Sequence, residues 1–156
     1  MVDHLVEIDG LENAPWLSES AHSLLGIVAT RPEFSRLGSP LELSLLLTDD
    51  AEIRVLNQRW RKIDAPTDVL SFPLDEGATL GDIAISMETA ARRVREPEWS
   101  LQDEVLFLLI HGLLHLVGHD HEEAEERRVM EAAEQEIWTA MGQPGTLRPA
   151  DEPETG

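Results

Sequence analysis

Four of the chain's six histidines fall within eleven positions, in the run His111-Gly112-Leu113-Leu114-His115-Leu116-Val117-Gly118-His119-Asp120-His121. His111 and His115 are four residues apart. On a helix that is about 40° of net rotation, so both imidazoles leave one face a turn apart. Gly118 ends the helix, because a residue without Cβ takes the left-handed C-terminal conformation at little cost. The chain then turns, and His121 comes back toward the same point. Three neutral imidazole nitrogens converging on one spot suit zinc. A set of three leaves a fourth coordination position open, which is the catalytic pattern rather than the closed structural one. The spacing therefore predicts one zinc ion per chain, held by His111, His115 and His121. A lone histidine on an apolar helix face is usually a satisfied core residue; three at ligand spacing, with a helix-ending glycine in register, do not arise that way.

His-x3-His-x2-Gly-x2-His is the spacing of metzincin proteases, but those enzymes carry a glutamate directly after the first histidine as general base. Here that place holds Gly112, which cannot take a proton. The spacing thus points to catalytic zinc while the composition argues against a standard zinc protease. No other residue in the block is an obvious base. Either another carboxylate or His119 arrives from the fold, or proton transfer runs through water. His119 reads as a wall or surface residue able to donate a proton near neutral pH, with a fourth-ligand role as the alternative. Asp120 either orients the far nitrogen of a ligand histidine or caps the last helix in a box with Glu123. His4 and His22 lie far from the motif.

The 156 residues fit one domain with a sizeable core, and 42% of them are hydrophobic. With no cysteine, disulfides and thiolate sites are excluded. The apolar run Val105–Ile110 is cut short by His111 and Gly112, so no membrane span is expected. The N-terminal Met1-Val2-Asp3-His4 lacks signal-peptide character, and a cytoplasmic protein is the expectation. A net charge of −19 disfavours binding to nucleic acid, which relies on Lys and Arg. Yet Arg54, Arg59, Arg61, Lys62, Arg92, Arg93 and Arg95 make seven of twelve basic residues in two short stretches. Either they form a local basic surface on an acidic body, or they are solvated positions paired with neighbouring carboxylates.

Apolar patterning predicts the elements that must carry these residues. Strands are expected at Leu5–Ile8, Leu41–Leu47 (a continuous apolar run, as in a strand buried on both faces), Val69–Phe72 closed by Pro73, and Gly81–Ser86. Helices are expected at Ser18–Thr30, Ala51–Trp60 with Asp49 or Asp50 as cap, Met87–Arg95, and from Ser100 through the histidines. Ser100 and Asp103 form a capping-box pattern, and the apolar residues that follow lie on most sides, so that helix belongs at the protein's centre. A last helix, Glu122–Met141, turns Val129, Ala132, Ala133, Ile137 and Trp138 inward. This order predicts a single α+β domain over residues 1–142, with a small mixed sheet of about four strands, about five helices, and a central buried helix bearing two ligand histidines. Residues 143–156 read as an acidic, disordered tail.

The segments Leu56-Asn57, Arg61, Asp64, Pro66-Thr67-Asp68-Val69-Leu70-Ser71-Phe72-Pro73, then Gly81-Asp82-Ile83, then His111–His121, resemble the YbeY family of bacterial metal-dependent endoribonucleases. The likeness covers roughly Leu41–His121 in three blocks, with Trp60 and His119 where tyrosine is frequent. It implies cleavage of single-stranded RNA, maturation of small-subunit (16S) ribosomal RNA and ribosome quality control. Small-subunit components are implied partners; DNA and membranes are not. It also implies zinc on His111, His115 and His121, and places the family's basic residue at the cavity mouth on Arg61. A guanidinium there suits the charge that develops on phosphoryl oxygens; the alternative is a structural ion pair with Asp64 or Asp68. Asp68 reads as a brace of its loop. Water activated at zinc, polarisation of a phosphoryl oxygen and removal of the ribose 2′-hydroxyl proton all remain open. Two other readings compete: a non-enzymatic ribosome-assembly factor braced by metal, and a protease-like hydrolase lacking the usual glutamate.

Overall fold

The computed structural model describes residues 3–94, 97–120 and 122–147. It is an α+β domain with one mixed four-stranded sheet, ordered β1 (Leu5–Asp9), β2 (Glu42–Thr48), β4 (Thr79–Ser86), β3 (Val69–Glu76). β1, β2 and β4 run parallel, and β3 returns antiparallel along β4 as the outer strand. In β2, Leu43, Leu45 and Leu47 are buried while Glu42, Ser44, Leu46 and Thr48 are only half-buried. The double burial expected from the apolar run is thus replaced by a two-residue alternation, because the second face of the sheet is only partly covered. β3 continues past Pro73 to Glu76 rather than stopping there. An outer strand tolerates proline, whose missing N–H takes no bond from a second neighbour.

One face of the sheet packs on α4 (Leu101–Leu116), flanked by α1 (Leu17–Val28) and α5 (Ala124–Ala140). Ser100 caps α4 in the expected box with Asp103. The helix is then buried without interruption from Glu104 to Leu114, which is why its pattern is apolar on most sides. α4 lies against β3 and β4 so closely that a Cβ on Gly112 would stand 3.1 Å from both Ile83 Cγ2 and Ser71 Oγ. The Ser71 hydroxyl uses that approach to donate to the Gly112 carbonyl (3.0 Å).

Among the described residues the other face carries α2 (Asp50–Arg61), capped by Asp49, over a small cluster of Ile53, Leu70 and Ala84. α3 is short (Met87–Arg92). Its first turn is tied to α2 through Asp50, which accepts hydrogen bonds from Ser86 and Thr89 (both 2.6 Å) and pairs with Arg92 (2.8 Å). α5 turns Met130, Ala133, Glu134, Ile137 and Trp138 inward. Val129 is 50% exposed and Ala132 is exposed, so the inward stripe is rotated from the expected one. The α5 cap is Glu123, boxed with Glu126, rather than Asp120. Of the segment read as a tail, the part up to Leu147 lies against α5: Trp138 Nε1 donates to the Pro144 carbonyl (3.1 Å) and the Leu147 N–H to Gln135 Oε1 (2.7 Å). Among the described residues no helix is long and apolar enough to cross a membrane.

Candidate metal centre

His111 is fully buried in the penultimate turn of α4. Its Nδ1 lies 2.7 Å from Oε2 of Glu134, itself buried on α5. An ionised carboxylate can only accept, so Nδ1 carries the hydrogen and the ring's lone pair is on Nε2. His115 follows one turn later, with ring centroids 4.8 Å apart and planes at 65°. The Nε2 atoms of both rings are buried. Two imidazoles a turn apart, one with its tautomer set by a carboxylate, are a donor set that fits zinc. The third histidine of the spacing, His121, lies outside the described residues; within them no three metal-binding side chains converge on one point.

The chain leaving α4 is held by backbone and side-chain bonds. Gly118 takes φ +103°, and the His119 N–H returns to the Leu114 carbonyl (3.0 Å), closing the helix as the sequence anticipates. Arg36 donates to the Val117 carbonyl (3.0 Å). His119 turns its Nε2 to Glu33 (3.1 Å), whose carboxylate also pairs with Arg31 (3.2 Å). Burial works to raise the Glu33 pKa. Its own backbone N–H, His119 and Arg31 outweigh that and hold it below the usual glutamate value.

The basic residues divide between the two readings of the sequence. Arg54 pairs with Asp64, Arg92 with Asp50, and Arg93 with the fully buried Asp68. Asp68 also accepts from the Val69 N–H (2.8 Å), so it braces its loop as expected. Arg95 lies outside the described residues. Among them, Arg59, Arg61 and Lys62 pair with no carboxylate. Arg61 donates to the carbonyl of Ser71 and lies over the Phe72 ring, 5.7 Å from its centroid. The ion pair with Asp64 or Asp68 considered for it does not form. The structure links it to the histidine helix through Ser71, whose carbonyl meets Arg61 and whose hydroxyl meets Gly112.

Two residues of the site escape the sequence reading. Glu134 carries one signal: a carboxylate on the inward stripe of α5, between Ala133 and Ile137. Ser71 stands in the Pro66–Pro73 block of the family resemblance, but nothing local marks its bond to Gly112, 41 residues away.

A model of the family described as Endoribonuclease YbeY matches residues 15–142. Curated relatives of that name include one from Heliobacterium modesticaldum, 42% identical over 154 residues and spanning 87% of this chain and 92% of its own. Another, from Azorhizobium caulinodans, is 41% identical over 151 residues, covering 90% and 92%. The solution structure of a Thermotoga maritima protein superposes with a TM-score of 0.53 at 30% identity, covering 90% of this chain and 91% of that one.

Proposed function

This chain belongs to the YbeY endoribonuclease family, and from that premise we propose that it is a zinc-dependent nuclease of the cytoplasm. Its substrate is single-stranded RNA, cut in the maturation of small-subunit (16S) ribosomal RNA and in ribosome quality control, with small-subunit components as partners. The observation that carries the metal part is the buried His111–Glu134 pair with the His115 ring 4.8 Å away on the same helix. A buried carboxylate spent on one imidazole nitrogen is the arrangement that orients a metal-ligating histidine.

His111, His115 and His121 would hold the ion. Bound there, zinc would supply positive charge to a phosphoryl oxygen and lower the pKa of a nearby water. Glu134 keeps the hydrogen on His111 Nδ1, so that Nε2 stays a donor of its lone pair. Ser71 fixes β3 to α4 and gives Arg61 an anchor through its carbonyl. The guanidinium's remaining N–H donors are then available to phosphate oxygens in a forked geometry. A glutamate at position 112, the protease base, would crowd the Ile83 and Ser71 side chains, each 3.1 Å from where its Cβ would stand, which disfavours the peptidase reading.

The test is cleavage of a single-stranded RNA by metal-loaded protein, beside His115→Ala as the control for contaminating ribonuclease. Elemental analysis of wild type should show one zinc per chain, absent from His111→Ala. Arg61→Ala should keep the metal and lose on the order of 100-fold in cleavage at matched salt. Metal-free wild type with no rise in Tm on adding zinc would end the metal assignment. A folded, zinc-loaded wild type that cuts no RNA would favour the non-enzymatic assembly factor.

A further inference from the structure

The sheet face turned away from the histidine helix holds a groove of about 410 Å³, lined chiefly by Leu46, Leu56, Trp60, Phe72, Asp82 and Ala84. Trp60, at the end of α2, is 60% exposed and meets Phe72 edge-on, with centroids 6.4 Å apart at 67°. The Arg59 guanidinium lies 5.5 Å from the Trp60 centroid and that of Arg61 5.7 Å from the Phe72 centroid. Arg59, Arg61 and Lys62 are the cations of the two basic stretches that no carboxylate neutralises among the described residues. On a body of net charge −19, this rim offers an anionic chain three neighbouring cations that no described carboxylate offsets. The groove itself offers two π faces, aliphatic walls and one exposed carboxylate, Asp82.

An occupant matching all of this is flat and apolar on its faces, carries N–H donors on its edge, and is joined to phosphate. We propose that the groove is a nucleobase subsite for the RNA strand: one base stacks on Trp60, its N–H edge donates to Asp82, and Arg59 and Lys62 take the adjoining phosphates. A carboxylate accepts two N–H bonds from guanine and only one from uracil, so the subsite prefers guanine. β3, which carries Phe72 toward the groove and Ser71 toward α4, is the outer strand. A strand lying in the groove therefore passes round a single β-strand to reach the histidines. The proposal rests on the RNA-cleaving function argued above and adds to it where a base is held.

The experiment uses the zinc-loaded full chain and non-cleavable 2′-O-methyl single-stranded oligomers, one guanine-rich and one of uracil only, followed by fluorescence anisotropy. Trp60→Ala should weaken binding of the guanine-rich strand roughly tenfold, while Trp60→Phe keeps most of it. Asp82→Ala should bring the two oligomers to equal affinity, because it removes the edge acceptor and leaves the stacking ring. Thermal unfolding should show all three variants as stable as wild type. If Trp60→Ala binds and cuts RNA like wild type, the subsite is overturned and the nuclease function stands. If an apolar peptide displaces nothing and a guanine mononucleotide competes, the assignment to a base holds; the reverse pattern overturns it. If wild type neither binds nor cuts RNA, the function itself fails.

Discussion

On one side of the sheet α4 is pressed so closely against β3 and β4 that a Cβ at position 112 would stand 3.1 Å from the Ile83 and Ser71 side chains. On the other, α2 leaves a groove and a tryptophan 60% exposed. Both sides are made by the same two strands, whose alternate residues point to each. The packed side holds groups by buried hydrogen bonds: His111 to Glu134 (2.7 Å) and Gly112 to Ser71 (3.0 Å). The open side keeps wide aromatic and aliphatic surface with few hydrogen bonds. A site that must hold an ion in one geometry needs the first kind of environment, and a surface that takes a varied polymer is served by the second.

The largest effect that sharpens this contrast comes from Gly112→Glu. It forces a carboxylate into the helix–sheet contact against Ile83 and Ser71, and should destabilise the fold by about 4 kcal/mol in urea unfolding. A variant as stable as wild type would show that the packed side yields. Glu134→Ala comes next: removing the partner of the His111 Nδ1 should weaken zinc affinity about 10–100-fold in chelator competition. Unchanged affinity would reduce that pair to a structural contact.

The smallest effect is at Asp50, at the seam between α2 and α3. Burial works to raise its pKa, but hydrogen bonds from Ser86, Thr89 and Arg92, with the Arg92 charge, hold it below its ordinary value of 3.8. A depressed carboxylate stabilises the fold above its unfolded pKa and loses that contribution as pH falls through the folded one. Asp50→Asn should therefore be less stable than wild type by about 1 kcal/mol at pH 7, the pair being partly open to water. The gap should close once pH falls well below 3.8. A gap that persists in acid would assign it to shape rather than charge.

What the sequence discloses follows the reach of each interaction. The His111/His115 spacing, the Ser100–Asp103 cap, the Asp49 cap and the Gly118 ending are contained within a turn or two of chain, so residue order suffices. The β1-β2-β4-β3 order, the Ser71–Gly112 bond and the His111–Glu134 pair join distant segments and leave little local trace. α5 shows how small the margin is. Alanines at 132 and 133 and apolar residues at 129 and 130 fit either of two adjacent stripes, and choosing the wrong one turns Glu134 to solvent on paper. Similarly, Pro73 reads as an end of β3 only if that strand has neighbours on both sides. Among the basic residues, composition could not separate Arg54, Arg92 and Arg93, held by aspartates, from Arg59, Arg61 and Lys62.

The partner of His111 arrives 23 residues later in the chain. A polypeptide emerging from the tunnel therefore has its histidine helix complete well before the carboxylate that settles the ring's hydrogen. Until α5 docks, that imidazole is free to carry its hydrogen on either nitrogen. Maturation of the centre in this way waits on α5, and a product cut short before that helix would keep the motif yet lack its finished form.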